Sequence, residues 1–183
     1  GSYLPKLSSV TDDAQIFHGF AFPKWNTFTG IGLNVDLITH EVAHLLLEQS
    51  TQSSARPLPA WLQEGFASYM EPGARFNQSR VFGQPSVTTM PLRTMGAIPG
   101  KISDIGYFYD KSESVVRFLV EEYGEDQLRR FLVKMNERQL VNEALLGVYG
   151  FDQEGLEQRW AGDPVESGGI KHYDDKVSVP IDR

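Results

Sequence analysis

The first clear pattern in the chain is a pair of extended segments near the N-terminus. Residues 14–22 are rich in aromatic and apolar side chains, and residues 27–33 return to an extended pattern. The four residues between these segments begin with Pro23 and end with Asn26, and they favour a turn. The pattern therefore predicts a β-hairpin.

A helical pattern follows the hairpin, over about residues 35–49. Its apolar residues recur at the spacing that lines the packed side of an α-helix, and they are Leu37, Ile38, Val42, Leu45 and Leu46. Asn34 or Asp36 can cap the start of this helix, because both side chains accept hydrogen bonds from backbone N–H groups.

A second, shorter helix is predicted over about residues 60–70. Residues 51–59 contain mainly Ser, Thr and Pro and are expected to form a loop, with Pro59 suited to the first turn of the helix. Residues 71–106 are rich in Gly and Pro and show little periodicity. They are expected to be mostly loop with one short helix, and Met90-Pro91-Leu92 forms a short apolar anchor.

The last third of the chain has helical periodicity interrupted by glycine. Helices are predicted over residues 108–123, 125–138, 141–149 and 152–160, and Gly124 and Gly150 end two of them. From residue 166 the composition is that of a tail that becomes ordered only by docking. We therefore expect one domain over residues 1–165, of the α+β class, followed by a tail over residues 166–183.

Composition excludes several kinds of partner. The chain has 183 residues, 40% of them hydrophobic, which is enough for one domain with a substantial core. Its net charge is −7 and its Lys and Arg residues are scattered, so no basic surface for nucleic acid is expected. No apolar run approaches the roughly 18 residues that would suggest a membrane span. The start Gly1-Ser2 resembles a cloning remnant, so we expect the natural chain to extend further.

The chemistry of the chain centres on His40-Glu41-Val42-Ala43-His44. Side chains four residues apart on a helix lie one above the other, so His40 and His44 can both bind one metal ion. Glu41 is one position further round the helix. A carboxylate there can accept a proton from a metal-bound water, which is the base role in an H-E-x-x-H motif.

A third metal ligand is expected in the second helix. Zinc at a hydrolytic site usually has three protein ligands and one open position. The chain has no Cys, so any zinc must be bound by nitrogen and oxygen atoms. Glu64, which follows His44 after nineteen residues, is the candidate. The sequence therefore predicts a Zn²⁺ site formed by His40, His44 and Glu64.

This arrangement resembles a known family. The H-E-x-x-H motif followed by Glu64, in the context Trp-Leu-Gln-Glu-Gly-Phe-Ala over residues 61–67, resembles the gluzincin metallopeptidases, whose third ligand is this glutamate. From the hairpin to Trp160 the chain is similar to the small peptidase MA-like domains of many bacterial proteins. The resemblance implies a zincin-like fold, in which a small N-terminal sheet packs on the metal helix and the C-terminal part is helical. It also favours an extracytoplasmic part of a bacterial protein.

The resemblance also implies a catalytic tyrosine. The aminopeptidase N family has a tyrosine after the glutamate ligand, in a Tyr-x-Lys-Gly context, that stabilises the tetrahedral intermediate. Tyr109-Asp110-Lys111-Ser112 is similar, which implies that Tyr109 donates to the developing oxyanion. Tyr107 is the nearby alternative.

Two departures from related enzymes limit what the resemblance implies. The stretch Gly19-Phe20-Ala21-Phe22-Pro23 lacks the glutamate with which the aminopeptidase N family binds the substrate's amino terminus, so aminopeptidase action is unsupported. Thermolysin-like enzymes carry a carboxylate four residues after the glutamate ligand that orients a zinc histidine, and here that position is Ser68. Glu71 is the alternative for this role.

The predicted function is zinc-dependent hydrolysis of peptide bonds in a peptide or protein substrate, with Glu41 and Tyr109 as the catalytic side chains. Two alternatives remain open: a catalytically inactive zincin-like binding module, and a zinc hydrolase of a non-peptide amide. His18 and His172 are expected to have no part in the site. The oligomeric state is not predicted. The edge strand of the hairpin could bind an extended peptide by β-augmentation.

Overall fold

A two-stranded hairpin begins the part of the chain that the computed structural model describes, which comprises residues 19–32, 34–52, 54, 57–73 and 90–162. Strands β1 (Gly19–Phe22) and β2 (Thr27–Gly30) are antiparallel, and a 3-10 turn at Pro23–Trp25 lies between them. The predicted hairpin is confirmed, although predicted strand residues 14–18 and 33 lie outside the described residues.

Six α-helices follow the hairpin within the described residues, and their bounds are α1 (Val35–Thr51), α2 (Ala60–Met70), α3 (Ile102–Tyr123), α4 (Glu125–Asn136), α5 (Val141–Tyr149) and α6 (Gln153–Ala161). A 3-10 turn at Leu92–Thr94 lies before α3. The fold is α+β, as predicted, with a small hairpin and a mainly helical remainder.

The start of α1 is capped by Asn34 rather than by Asp36. The Asn34 side chain accepts a hydrogen bond from the backbone N–H of Leu37 at 2.9 Å, which satisfies a donor that the first helical turn leaves without a partner. Asp36 instead accepts from the backbone N–H of Gly73 at 3.0 Å, and this bond joins α1 to the end of α2.

Helices α2 and α3 form the centre of the core. Trp61 and Leu62 of α2 and Phe108 and Val116 of α3 are fully buried. The two helices approach closely at Gly65, where an added Cβ would overlap the carbonyl oxygen of Ser112 and lie 2.7 Å from its carbon. A glycine at this position therefore lets α2 pack directly on the backbone of α3.

The segment of residues 90–96 connects α6 and α3 to the start of α2. The backbone N–H of Leu92 donates to Glu157 at 3.0 Å, and the Lys111 ammonium donates to the carbonyl of Met90 at 2.9 Å. The N–H of Trp61 in turn donates to the carbonyl of Met95 at 3.0 Å. Leu92 is fully buried, which agrees with the apolar anchor predicted here.

One loop boundary from the sequence is wrong. Residues 102–106 were expected to be loop, but α3 begins at Ile102 and therefore includes Gly106. Ile105 is buried on the same helix as Phe108, three residues later, so packing of this face offsets the low helix propensity of glycine. Helix α4 ends at Asn136 rather than at residue 138, because Arg138 has a positive φ of 73°.

Within the described residues no helix is long and apolar enough to cross a membrane. The predicted tail, residues 166–183, lies outside the described residues.

Candidate metal centre

Helix α1 brings the two histidines of the H-E-x-x-H motif together. His40 and His44 are separated by one helical turn, and their Nε2 atoms are 3.2 Å apart. Their rings meet edge to face with centroids 4.8 Å apart. Both nitrogens therefore point at the same space, as the i, i+4 spacing predicts.

Helix α2 supplies a carboxylate oxygen to the same space. Oε2 of Glu64 is 3.5 Å from Nε2 of His40 and 3.5 Å from Nε2 of His44. Glu64 lies in the middle of α2, whose approach to α3 is set by Gly65. The three groups form a cluster that could bind a metal ion.

The spacing of these three atoms fits zinc. Nitrogen and oxygen ligands bind zinc at about 2.0–2.1 Å in tetrahedral geometry, so neighbouring donors lie roughly 3.4 Å apart. The observed separations of 3.2, 3.5 and 3.5 Å match this value. Two imidazoles and one carboxylate are also a donor set typical of hydrolytic zinc enzymes.

Glu71 contacts the other nitrogen of His40. Its Oε1 is 2.7 Å from Nδ1 of His40, and the residue caps the C-terminus of α2 in extended conformation. A carboxylate on Nδ1 fixes the proton there and leaves Nε2 free as a ligand atom. Of Ser68 and Glu71, the two residues considered from the sequence, Glu71 makes this contact with His40.

The pKa values of His40 and Glu64 are both displaced from their usual range. Burial alone would lower the pKa of His40, but the carboxylates of Glu64 and Glu71 outweigh it and raise this pKa to about 9. Burial alone would raise the pKa of Glu64, but His40 and His44 lower it to about 2. Without metal, His40 therefore carries a proton at neutral pH beside the ionised carboxylate of Glu64.

Glu41 lies beside the cluster on α1 and is only 3% exposed. Burial raises the pKa of its carboxyl group, and the neighbouring charge of Glu64 raises it further, while His40 and His44 lower it. A carboxylate with a raised pKa is a stronger base than one in water.

Tyr109, rather than Tyr107, faces the cluster. Burial, together with the charge of Glu64 and a hydrogen bond to it, raises the pKa of Tyr109, and the charge of Glu41 adds to the shift. The hydroxyl therefore keeps its proton at neutral pH and can donate it in a hydrogen bond. Burial raises the pKa of Tyr107, and the charge of Glu157 on α6 raises it further.

Two depressions meet at the cluster. One, of about 810 Å³, is lined by apolar side chains from the hairpin side, α1 and α3: Ile31, Leu37, Ile102 and Ile105. The other, of about 240 Å³, extends past His44 and Glu64 to Gln63 and Ile98. Four residues line both depressions and therefore lie at their junction: Gly19, His40, Glu41 and Tyr109.

Two glycines contribute to the site in ways the sequence interpretation missed. Gly65 allows the close packing that positions Glu64, and Gly19 brings the backbone of β1 against Glu41. The sequence shows that Gly65 directly follows Glu64 and that Gly19 lies in an aromatic strand. A single sequence does not reveal which side chains or backbone atoms these two glycines face. His18 and His172 lie outside the described residues.

Comparison with known proteins gives one family. The model of the Peptidase MA superfamily matches residues 9–163, which include both strands, all six helices and the clustered residues of α1 and α2. No curated protein and no solved structure matches the chain.

Proposed function

The chain belongs to the Peptidase MA superfamily, with a zincin-like α+β fold, and we propose that it is a zinc-dependent metallopeptidase. The observation that carries this proposal is the convergence of His40, His44 and Glu64 at zinc spacing, with Glu41 buried beside them. The substrate would be a peptide or protein, the class on which this superfamily acts.

His40, His44 and Glu64 would hold the Zn²⁺, which would supply a Lewis acid for the substrate carbonyl and would lower the pKa of water to about 7. Glu41 accepts a proton from the attacking water and passes it to the leaving amine. The pKa of Glu41 is raised mainly by burial. This makes the carboxylate a better acceptor of the proton, and the carboxylic acid that forms can still donate it to the amine.

Tyr109 donates a hydrogen bond to the oxygen that becomes negatively charged as the carbonyl is attacked. This role is supported by its place at the junction of the two depressions and by the influence of the Glu64 charge on its hydroxyl. A donor aimed at charge that develops only in the transition state lowers the barrier without tightening substrate binding.

The two depressions suit the residues on either side of the bond to be cut. The β1 residues Gly19 and Ala21 line the smaller depression, so the edge of the hairpin lies along it. An extended substrate could pair with this edge through main-chain hydrogen bonds, which gives affinity without demanding a particular side chain.

The proposal is tested by metal analysis and by digestion of a peptide library. Purified wild type should contain one zinc per chain and cleave peptides in a chelator-sensitive manner. Glu64→Ala should lose stoichiometric zinc and activity, whereas Glu122→Ala, which removes an exposed carboxylate from α3, should retain both. A wild type that binds zinc but cleaves no peptide would contradict the peptidase assignment.

A further inference from the structure

Gly19 is the residue at which strand β1 meets the carboxylate of Glu41. A Cβ added at this position would overlap Oε1 of Glu41 and lie 2.9 Å from its Cδ. It would also lie 2.8 Å from Cδ1 of Leu37, one turn earlier on α1. The backbone of β1 therefore occupies the space next to the base, with no room for a side chain.

Conformation does not require a glycine at this position. Gly19 is the first residue of β1 and pairs with Gly30 across the hairpin. Its φ is not positive, in contrast to those of Gly32, Gly124 and Gly150. Glycine is needed here because the strand approaches Glu41 too closely to leave room for a side chain.

The kind of atom in the way determines what a larger residue would do. At Gly65 the obstacle is the backbone of Ser112, which cannot move without separating two helices. At Gly19 the obstacles are the ends of two flexible side chains, Glu41 and Leu37. A methyl group at position 19 is therefore accommodated mainly by rotation of the Glu41 carboxylate, while the fold persists.

We infer that Gly19 is a positioning residue: by bringing the bare backbone of β1 against Glu41, it fixes where that carboxylate lies relative to the metal ligands. The catalytic consequence rests on the proposed function of Glu41. A misplacement of about 1 Å in a catalytic group can cost roughly 100-fold in rate. Gly19→Ala should thus reduce kcat by about this factor and leave the three ligand residues in place.

A stability cycle tests the contact without any need for activity. Gly19→Ala should lower the Tm of the zinc-loaded protein by about 3 °C, which is near the low end of the shift expected for one overpacked methyl group in a chain of this size. In a Glu41→Ala background, where the obstructing carboxylate is gone, the same substitution should lower Tm by less than half as much. An equal loss of Tm in the wild-type and Glu41→Ala backgrounds would show that position 19 is not in contact with Glu41.

A kinetic comparison then tests positioning. Gly19→Ala should bind one zinc per chain with unchanged affinity, with a loss of rate mostly in kcat rather than in KM. Added to Glu41→Gln, it should slow the residual reaction little further, because it acts through Glu41. The control is Gly100→Ala, where an added Cβ meets nothing within 4 Å. Wild-type kcat in Gly19→Ala would overturn the inference, whereas an inactive wild type would count against the proposed function and leave the stability cycle to decide the contact.

Discussion

Glu71 is placed to support the proposed metal centre without being a ligand, because its Oε1 is 2.7 Å from Nδ1 of His40. Glu71→Ala removes this bond, so the ring and its proton are no longer fixed. We expect zinc affinity to fall by about 10–100-fold, the usual cost of losing such a partner. Zinc titration against a competing chelator measures the change. Ser68→Ala serves as the control, and an equal loss of affinity there would contradict the role assigned to Glu71.

Tyr109 is the second prediction at the residue scale. Tyr109→Phe should retain zinc and lower kcat by about 10²–10³-fold, the effect of removing one oxyanion donor, with little change in KM. Tyr107→Phe should have wild-type kinetics, because the pKa of Tyr107 is raised by burial and by Glu157 and not by Glu41 or Glu64. The reverse result would show that the two tyrosines have been assigned the wrong way round.

The H-E-x-x-H spacing was enough to predict that His40 and His44 face the same space, because the two residues are one helical turn apart. The packing partners were less fully specified, because Ser68 and Glu71 both remained candidates for the contact with a histidine and no contact of Gly19 was predicted. Glu71 reaches His40 from the C-cap of another helix, thirty-one positions along the chain, and Gly19 meets Glu41 from the hairpin. Such contacts depend on how elements pack, which a pattern within one element does not specify.

Between elements, α2 approaches the backbone of α3 closely at Gly65. Gly65→Ala would press a methyl group against the carbonyl of Ser112, and we expect a loss of about 1–3 kcal/mol in the free energy of unfolding. Zinc affinity should fall as well, because α2 carries Glu64. Chemical denaturation measures the loss. Gly147→Ala on α5, where the added Cβ meets nothing within 4 Å, should instead be neutral or stabilising, by up to about 1 kcal/mol.

Helices were predicted correctly where the apolar periodicity and a helix-ending glycine indicated the same boundary. Helix α5 ends at Gly150, whose φ of 80° is the left-handed conformation that glycine favours, and this boundary was read from the sequence. Residues 102–106 failed because a glycine-rich stretch before α3 resembles a loop. Only the buried contacts of Ile105 reveal that packing extends the helix there.

At the scale of the whole molecule, the protein without metal should have a pH-dependent stability that the site imposes. The pKa of His40 rises from 6.5 to about 9 on folding, so its contribution is fully present below pH 6.5 and is lost as pH rises through 9. The pKa of Glu64 falls from 4.5 to about 2, so its contribution is present above pH 4.5 and is lost as pH falls through 2. These two contributions overlap between about pH 4.5 and 6.5.

Thermal unfolding after chelation tests this dependence. The difference in Tm between wild type and His40→Gln isolates the histidine, because the groups common to both proteins cancel to first order. This difference should shrink as pH rises from 6.5 to 9. A constant difference over this range would contradict a charged His40 in the metal-free protein. Zinc must displace that proton, so its affinity should also increase with pH up to about 9.

We propose that Glu41 is the base of a zinc peptidase, and the most direct measurement is the cleavage rate of zinc-loaded Glu41→Gln beside wild type. The amide has nearly the shape of the carboxylate but cannot accept the proton. We predict one zinc per chain in both proteins and a fall in kcat of about 10²–10⁴-fold in the variant. A Glu41→Gln protein with wild-type kcat would contradict the account.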